Sequence, residues 1–507
     1  MGEEHHGAWW TPDAPDLRVP GSLTRTEDGW RLSLIGTLMV NSGGGDGLRL
    51  VPPHTIWGSC QGVPYTLLEC FLEHDVQGPD TSATHIPSDQ WTMAWRVGQL
   101  VRGGEITEST RFSVAEFEIT GLPTWWPPSG LRGPQARAGS YTAPDDVTIP
   151  LDDGTISIGV RENRLFGRRV RSLRERVVVR AHRGAGFTLD EVEREIVGPM
   201  RALVAIGVNE PVSVFNLRVV PEGHLTEDGR PRFFAVDPHN GEAPEEPWPS
   251  LHAPLPLSPS LHDLPSFIPA WLKLARRCSV PLEAVEPRRR SGSLQLQLLE
   301  IVNAAETLHR TLHVEPTEHP LAQRVRDALK DSGGFTSAER RNVHDAVKMF
   351  VGITLEKRLL ALAEELGPDV REWLLNSTAA PWAFVTARIR NALSHGFTAP
   401  DETHEDPGAL AGALYVTEAV ITLRLLIEAG LPSGPALTAQ LGRHPGMRSL
   451  AQQSIADWPA LAHRINPDQW PQPEPEPEHT SDDESAPSDG GHETPQLAPD
   501  DLQPPTP

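Results

Sequence analysis

The sequence predicts an α+β chain of several domains: a β-rich N-terminal half, an all-α C-terminal half, and an acidic, Pro-rich tail expected to be disordered. Three observations predict it. The hydrophobic period changes from about two residues to about 3.6 along the chain. The change falls across a Pro-rich stretch of no sustained period, residues 237–265, DPHNGEAPEEPWPSLHAPLPLSPSLHDLP, which reads as a linker. Residues 467–507 contain eleven acidic residues, eleven Pro and no Lys or Arg, a composition that cannot bury enough surface to offset its ordering entropy. The 507 residues exceed one compact domain, at a prior of roughly 150 residues each.

In the first half, short alternating runs are separated by Gly, Pro, Asp and Asn. Trp30–Leu34, Thr155–Val160, Glu116–Ile119 and Val212–Val219 alternate apolar and polar side chains, the pattern of half-buried strands. The spacing predicts one helix among them, at about Leu189–Ile206.

In the second half, four helices are expected. Ser293–His313 places Leu294, Leu298, Ile301, Val302, Ala305 and Leu308 at helical spacing. Thr336-Ser337-Ala338-Glu339 reads as a capping box opening a second helix that runs through Leu366 to Gly367-Pro368. A third spans about Trp382–Ser394 and a fourth about Gly408–Ala429. This is the pattern of an α-bundle. The domains are therefore expected at 1–236 and 266–445, with the linker between them and a disordered tail over 466–507. There is no internal repeat.

A net charge of −23 argues against a protein that coats nucleic acid nonspecifically, though not against a local basic groove. The three cysteines, Cys60, Cys70 and Cys278, are widely spaced with no CxxC, so neither a disulfide framework nor a zinc ribbon is expected. The N-terminus lacks the basic and apolar regions of a signal peptide. No stretch reads as the run of about 18 apolar residues that a membrane span needs. A soluble, cytoplasmic protein without membrane contact is expected.

The third helix carries the chemistry. Val385, Ile389, Ala392 and Leu393 form its apolar stripe, while Arg388, Asn391 and His395 share a polar face. Arg390 lies farther round but has a long side chain, and Gly396 suits a left-handed helix stop. A guanidinium grips a phosphate through two donors and stabilises growing charge. An imidazole moves protons near neutral pH. RNA supplies its own nucleophile, the 2′-hydroxyl, so this chemistry requires no metal or cofactor. As bare residues, an Arg and a His five apart more often mark a solvated helix face than an active site.

Arg390-Asn391-Ala-Leu-Ser-His395-Gly396 resembles the R-x4-H motif of the HEPN superfamily, with a polar residue after the Arg. His6-Gly7-Ala8-Trp9-Trp10-Thr11-Pro12, Val19–Thr24, Leu34-Ile35-Gly36, Ile56-Trp57-Gly58 and Tyr65–Cys70 resemble the opening strands of the ApeA N-terminal domain. The two parts in this order, over about residues 4–445, resemble the ApeA architecture, in which the HEPN module is regarded as a nuclease of anti-phage, abortive-infection defence. The resemblance implies an all-α HEPN bundle and a metal-independent endoribonuclease, with Arg390 and His395 catalytic and Asn391 supporting. It also implies an RNA substrate, a homodimer or higher homo-oligomer through the HEPN domain, and an N-terminal domain that senses a phage-derived trigger or restrains the nuclease. Glu306 on the first helix is an attractive further polar member. The other reading is a non-catalytic HEPN module that binds nucleotide or RNA, or mediates assembly, in the same setting.

Other features carry bland readings beside functional ones. His5-His6 near Trp9-Trp10 suggests a metal or base-stacking site, or simply aromatic packing. Trp125-Trp126-Pro127-Pro128 reads as a loop anchor. The Arg-rich runs Arg161–Arg183 and Arg288-Arg289-Arg290 read as phosphate contacts or a solvated face. Gly43–Gly47 lacks the Lys-Ser/Thr of a P-loop and reads as a flexible hairpin loop.

Overall fold

A computed structural model describes residues 3–38, 40–41, 50–51, 53–73, 92–126, 141–166, 171–226, 228–237, 263–287, 292–313, 320–331, 334–351, 353–395, 402–442 and 457–471. The Gly43–Gly47 loop, Arg288–Arg290, Gly396, most of the Pro-rich stretch and the tail from 472 onward lie outside these residues.

The N-terminal half is built on one antiparallel sheet. Its strands are β1 (Glu4–Thr11), β2 (Ala14–Thr26), β3 (Gly29–Ile35), β6 (Ile56–Cys60), β7 (Val63–Leu72), β8 (Thr92–Arg102), β9 (Phe112–Ile119), β10 (Val147–Leu151), β11 (Gly154–Phe166), β12 (Arg171–Phe187), β13 (Val214–Pro221) and β14 (Phe234–Asp237). A two-stranded ribbon, β4 (Val40–Asn41) and β5 (Leu50–Val51), stands apart. The order is β10-β11-β12-β9-β13-β14-β8-β3-β2-β1-β6-β7, and β7 pairs again with β8. That last pairing closes β8-β3-β2-β1-β6-β7 into a six-stranded barrel, which leaves no free edge there. Strand β8 meets β3 over Thr92–Val97 and β14 over Leu100–Arg102, so it passes from the barrel into the open sheet.

The alternation in β3 works as expected: Trp30, Leu32 and Leu34 point into the barrel, and Arg31, Ser33 and Ile35 point out. The barrel core collects Trp9, Leu23, Ile56, Leu67 and Trp95. The Trp9 ring lies flat against the Gly58 backbone, where a Cβ would come within 2.2 Å of the ring.

The open sheet packs its inner face, with Phe117, Ile158 and Val179, on α1 (Leu122–Trp125), α2 (Leu189–Val192) and α3 (Gly198–Val208). Residues 189–208 form the expected helix with one π-turn, Glu193–Val197, inserted. Its outer face carries arginines over buried carboxylates. Arg180 Nε donates to Glu116 Oε2 at 2.9 Å, and Arg218 bonds the other oxygen. Arg176 and Asn216 donate to Glu118 Oε1 at 2.9 and 2.8 Å.

Burial pushes the Glu116 carboxyl up, but the Arg180 and Arg218 guanidiniums beside it outweigh that and hold it below the usual carboxylate range. A carboxyl lowered on folding contributes stability above its unfolded pKa and loses it as pH falls through the folded value. Glu116→Gln is therefore expected to lower the stability of the chain at pH 7, by roughly 2–3 kcal/mol, a loss kept modest because half-exposed arginines can turn to water. The difference from wild type should shrink below about pH 4.5, the unfolded carboxylate range, and thermal unfolding at pH 7 and 3.5 measures it. A gap as wide at pH 3.5 as at pH 7 would contradict the charge pairing.

The cysteines are separate buried thiols. Burial pushes Cys70 up to about 12 and Cys278 up to about 11.

The helical half contains α4 (Leu264–Arg277), α5 (Ser279–Val285), α6 (Leu294–Leu312), α7 (Pro320–Asp331), α8 (Ser337–Val351), α9 (Leu355–Glu364), α10 (Pro368–Leu375), α11 (Ala379–His395), α12 (Pro407–Glu428), α13 (Pro435–Leu441) and α14 (Trp458–Ile465). The Thr336–Glu339 capping box forms, with N–H to side-chain bonds of 2.7 and 3.3 Å in the two directions. The helix expected from Thr336 to Leu366 is in fact two. The first ends at Val351, and the Thr354 hydroxyl caps α9 by accepting from Lys357 N at 3.3 Å. Helix α12 is long and apolar enough to cross a membrane by length and composition, which the residue count did not suggest. It lies in the bundle core, however, with Leu414, Val420 and Leu425 buried and Arg424 paired to Glu365 at 2.8 Å.

The open sheet and the helical half share one core. Helix α4 packs on the sheet and on α3, with Trp271 Nε1 donating to Pro199 O at 2.9 Å. Arg201 on α3 forks onto Glu286 at 2.8 and 3.0 Å. The described chain also extends six residues into the stretch read as tail: the Trp470 ring lies tilted against Phe384 of α11, centroids 5.8 Å apart.

Candidate active site

Helix α11 has two unlike sides. Trp382, Val385 and Ile389 are buried against the bundle, Ala392 follows them, and Leu393 is partly buried beside them. Arg388, Asn391 and His395 are exposed, and His395 is the last helical residue. The apolar stripe read from the sequence thus anchors the helix and leaves the polar face at the surface.

Arg390 takes an intermediate position, with its side chain 24% exposed. It leans across to α6. Its Nη2 donates to Asn303 Oδ1 at 3.3 Å and stands 3.9 Å from Glu306 Oε2. Its Nη1 donates to Asn391 Oδ1 at 3.3 Å. Its Nε is enclosed and finds no hydrogen-bond partner among the described residues. The contacts orient the guanidinium, but all are long for charge-assisted bonds, so it is held while only partly neutralised. Arg390 and Asn391 therefore come together as the sequence suggested, and Glu306 joins them. His395 sits one turn beyond Asn391 on the exposed side.

The facing surface of α6 is polar at intervals of three and four residues: Asn303, Glu306, Thr307 and Arg310. Arg310 Nη2 donates to Glu306 Oε1 at 2.8 Å. From α9, Arg358 Nε reaches the same oxygen at 3.8 Å while donating to Ile353 O at 3.2 Å. One carboxylate thus stands among three guanidiniums. Arg358 is buried and lies 3.5 Å from His309 Nδ1 through Nη1. In that contact the guanidinium can only donate. The His309 and His313 rings lie tilted against each other at 4.5 Å, and His313 Nε2 lies 2.8 Å from Glu365 Oε1, out of hydrogen-bond alignment. Arg424 bonds both Glu365 and Glu428 at 2.8 Å. A polar chain therefore runs from the α6–α11 surface through the bundle.

Asn303, His309, Arg310 and Arg358 were not singled out in the sequence. The i, i+3, i+7 spacing of Asn303, Glu306 and Arg310 was a usable signal; the Arg358 contact was not, because it comes from another helix 48 residues farther on than Arg310.

The remaining candidates take their bland readings in the geometry. His5 stacks near Trp30 at 5.8 Å and Tyr65 at 5.4 Å, and Trp9 is fully buried. Trp125 and Trp126 are buried side by side. Arg161 pairs with Asp146 at 2.6 Å and Arg183 with Asp153 at 2.7 Å. Arg176 and Arg180 lie on Glu118 and Glu116, so these four arginines of the run are paired with carboxylates. Among the described residues, no three His, Cys, Asp or Glu side chains are grouped to hold a metal ion.

Two family models match the chain: ApeA N-terminal domain 1 over residues 4–271, and Apea-like HEPN over residues 299–435. The first reaches through most of α4, and the second spans α6 to α12 with the Arg390–His395 segment inside it. No curated protein and no solved structure gives a significant match. With more than half its length in the first model and the second following in order, the chain belongs to the ApeA family: an ApeA N-terminal domain joined to an ApeA-like HEPN domain.

Proposed function

We propose that the chain is a metal-independent endoribonuclease of anti-phage defence, cytoplasmic in location, with Arg390 and His395 catalytic and Asn391 supporting. The observation that carries this reading is the oriented, incompletely neutralised Arg390 guanidinium on the same helix end as the exposed His395. The reaction balances without a cofactor. The 2′-oxygen bonds to phosphorus as its proton leaves, the P–O5′ bond breaks, and the departing 5′-oxygen takes up a proton. Products end in 2′,3′-cyclic phosphate and 5′-hydroxyl, and DNA, lacking the 2′-hydroxyl, is not cut. His395 moves a proton at one of these oxygens, Arg390 bears the growing charge, and Asn391 orients Arg390. The N-terminal barrel and sheet serve as sensor or restraint, responding to a phage-derived trigger. The division into units at 237–265 belongs to the same proposal. The test is cleavage of RNA by the purified chain with and without a chelator, beside His395→Ala.

One R-x4-H helix exposes a single imidazole, and the mechanism needs proton transfer at both the attacking and the leaving oxygen. A second copy of the chain supplies the other, and two-fold dimers are the commonest closed assembly. Light scattering is expected to give twice the monomer mass at micromolar concentration. A monomer that still cleaves RNA would rule out the shared groove.

A further inference from the structure

We propose that Arg310 and Asn303 on α6 form a second phosphate-contacting strip beside Arg390, so that single-stranded RNA lies along the seam between α6 and α11. This deepens the ribonuclease reading and rests on it.

The strip is built by the helix repeat. Asn303, Glu306 and Arg310 lie on one side of α6, Asn303 and Arg310 are exposed at the surface, and Arg390 crosses from α11 to meet them. The argument is one of charge. Glu306 Oε1 takes Arg310 at 2.8 Å, and Oε2 faces Arg390 at 3.9 Å. A single carboxylate cannot neutralise both, whatever share of it also goes to Arg358. The seam therefore presents surplus positive charge on a chain whose net charge is −23. Such a local reversal of sign attracts a polyanion. Because the two guanidiniums flank one carboxylate on opposite sides, they are placed to meet different phosphates rather than the same one. Arg390 takes the phosphate at which the bond breaks; Arg310 takes one beside it. Asn303 gives its side-chain oxygen to Arg390, which leaves its amide N–H groups as donors at the surface.

At 60% side-chain exposure, Arg310 carries little folding burden, so its replacement reads binding rather than stability. The binding background is full-length His395→Ala, so that RNA survives the measurement. Labelled single-stranded RNA is titrated by fluorescence anisotropy at several salt concentrations, with and without Arg310→Ala. The expected result is about 3–10-fold weaker binding at physiological salt, and a salt slope shallower by about 0.7, the contribution of one single-strand phosphate contact. Arg310→Lys should recover most of the affinity, since a lone phosphate contact needs a charge more than a fork. In the otherwise wild-type chain, Arg310→Ala should raise KM while lowering kcat by less than about twofold, an estimate for lost uniform binding.

An unchanged affinity and salt slope would overturn the strip. So would poly-glutamate of equal charge binding as tightly as RNA, which would assign the seam to an acidic peptide instead. The parent reading fails differently: if the wild-type chain cuts no RNA while the seam binds it with the stated slope, the ribonuclease assignment falls and the strip stands.

Discussion

His395→Ala is expected to lower the rate of RNA cleavage by about 10²–10⁴-fold, the usual worth of general acid–base help, while leaving RNA affinity within a few-fold. The split follows from position. His395 is the exposed last residue of α11, outside the buried face of the helix, so its replacement is expected to remove proton transfer and leave the fold in place. The residual activity should still give 2′,3′-cyclic ends, because Arg390 and substrate geometry act on the same 2′-hydroxyl attack. In a two-fold assembly, mixing wild-type chains with Arg390→Ala/His395→Ala chains should give a rate below the simple wild-type fraction. Cleavage at the wild-type rate by folded His395→Ala would reduce the motif to a solvated helix face.

Much of this fold was legible because its cores obey simple periods. The alternation of Trp30–Leu34 is strand β3 with its apolar residues in the barrel, and Leu294–Leu308 is the buried face of α6. What the period does not carry is closure. The pairing of β7 with β8 joins distant strands, and nothing local in either strand states it. The Thr336–Leu366 region shows the reverse error: apolar spacing continues through 352–354, but Thr354 competes for the backbone as a cap and starts a new helix. Helix α4 was obscured by its surroundings. Pro265 and Pro269 gave it the look of the Pro-rich stretch, yet Pro265 sits in the first turn, where no N–H is needed. The family match through residue 271 runs into this helix, and Trp271 bonds to Pro199 of α3.

The candidate site was legible along one helix and opaque across helices. Arg390, Asn391 and His395 could be placed by counting residues on α11. That Arg390 turns toward α6 could not, since by helix angle alone it stands well away from His395. The structure resolves the discrepancy by a direction: Arg390 faces the seam, where Asn303 and Glu306 hold it, and Asn391 links it back to the exposed side. Glu306 was visible as a polar residue on a helix, but its sharing among Arg310, Arg358 and Arg390 is a property of three packed elements.

That sharing shapes the second large expectation. Arg390→Ala should lower kcat by about 10²–10³-fold, the scale of losing one preorganised donor to a developing oxyanion. It should also weaken RNA binding more than His395→Ala does, because a phosphate ligand is lost together with the charge. Arg390→Lys should recover little of kcat. The Arg390 guanidinium uses Nη1 on Asn391 and Nη2 on Asn303, at 3.3 Å each, and a lysine ammonium cannot span both supports and still offer a planar fork to phosphate. Glu306→Gln separates orientation from charge. It keeps an acceptor for Arg310 and Arg390 but removes the negative charge, so RNA should bind more tightly while kcat falls as Arg390 loses its electrostatic hold. If Arg390→Lys instead cleaves at the wild-type rate, a point charge suffices, and the Asn303–Arg390–Asn391 arrangement is packing rather than catalytic orientation.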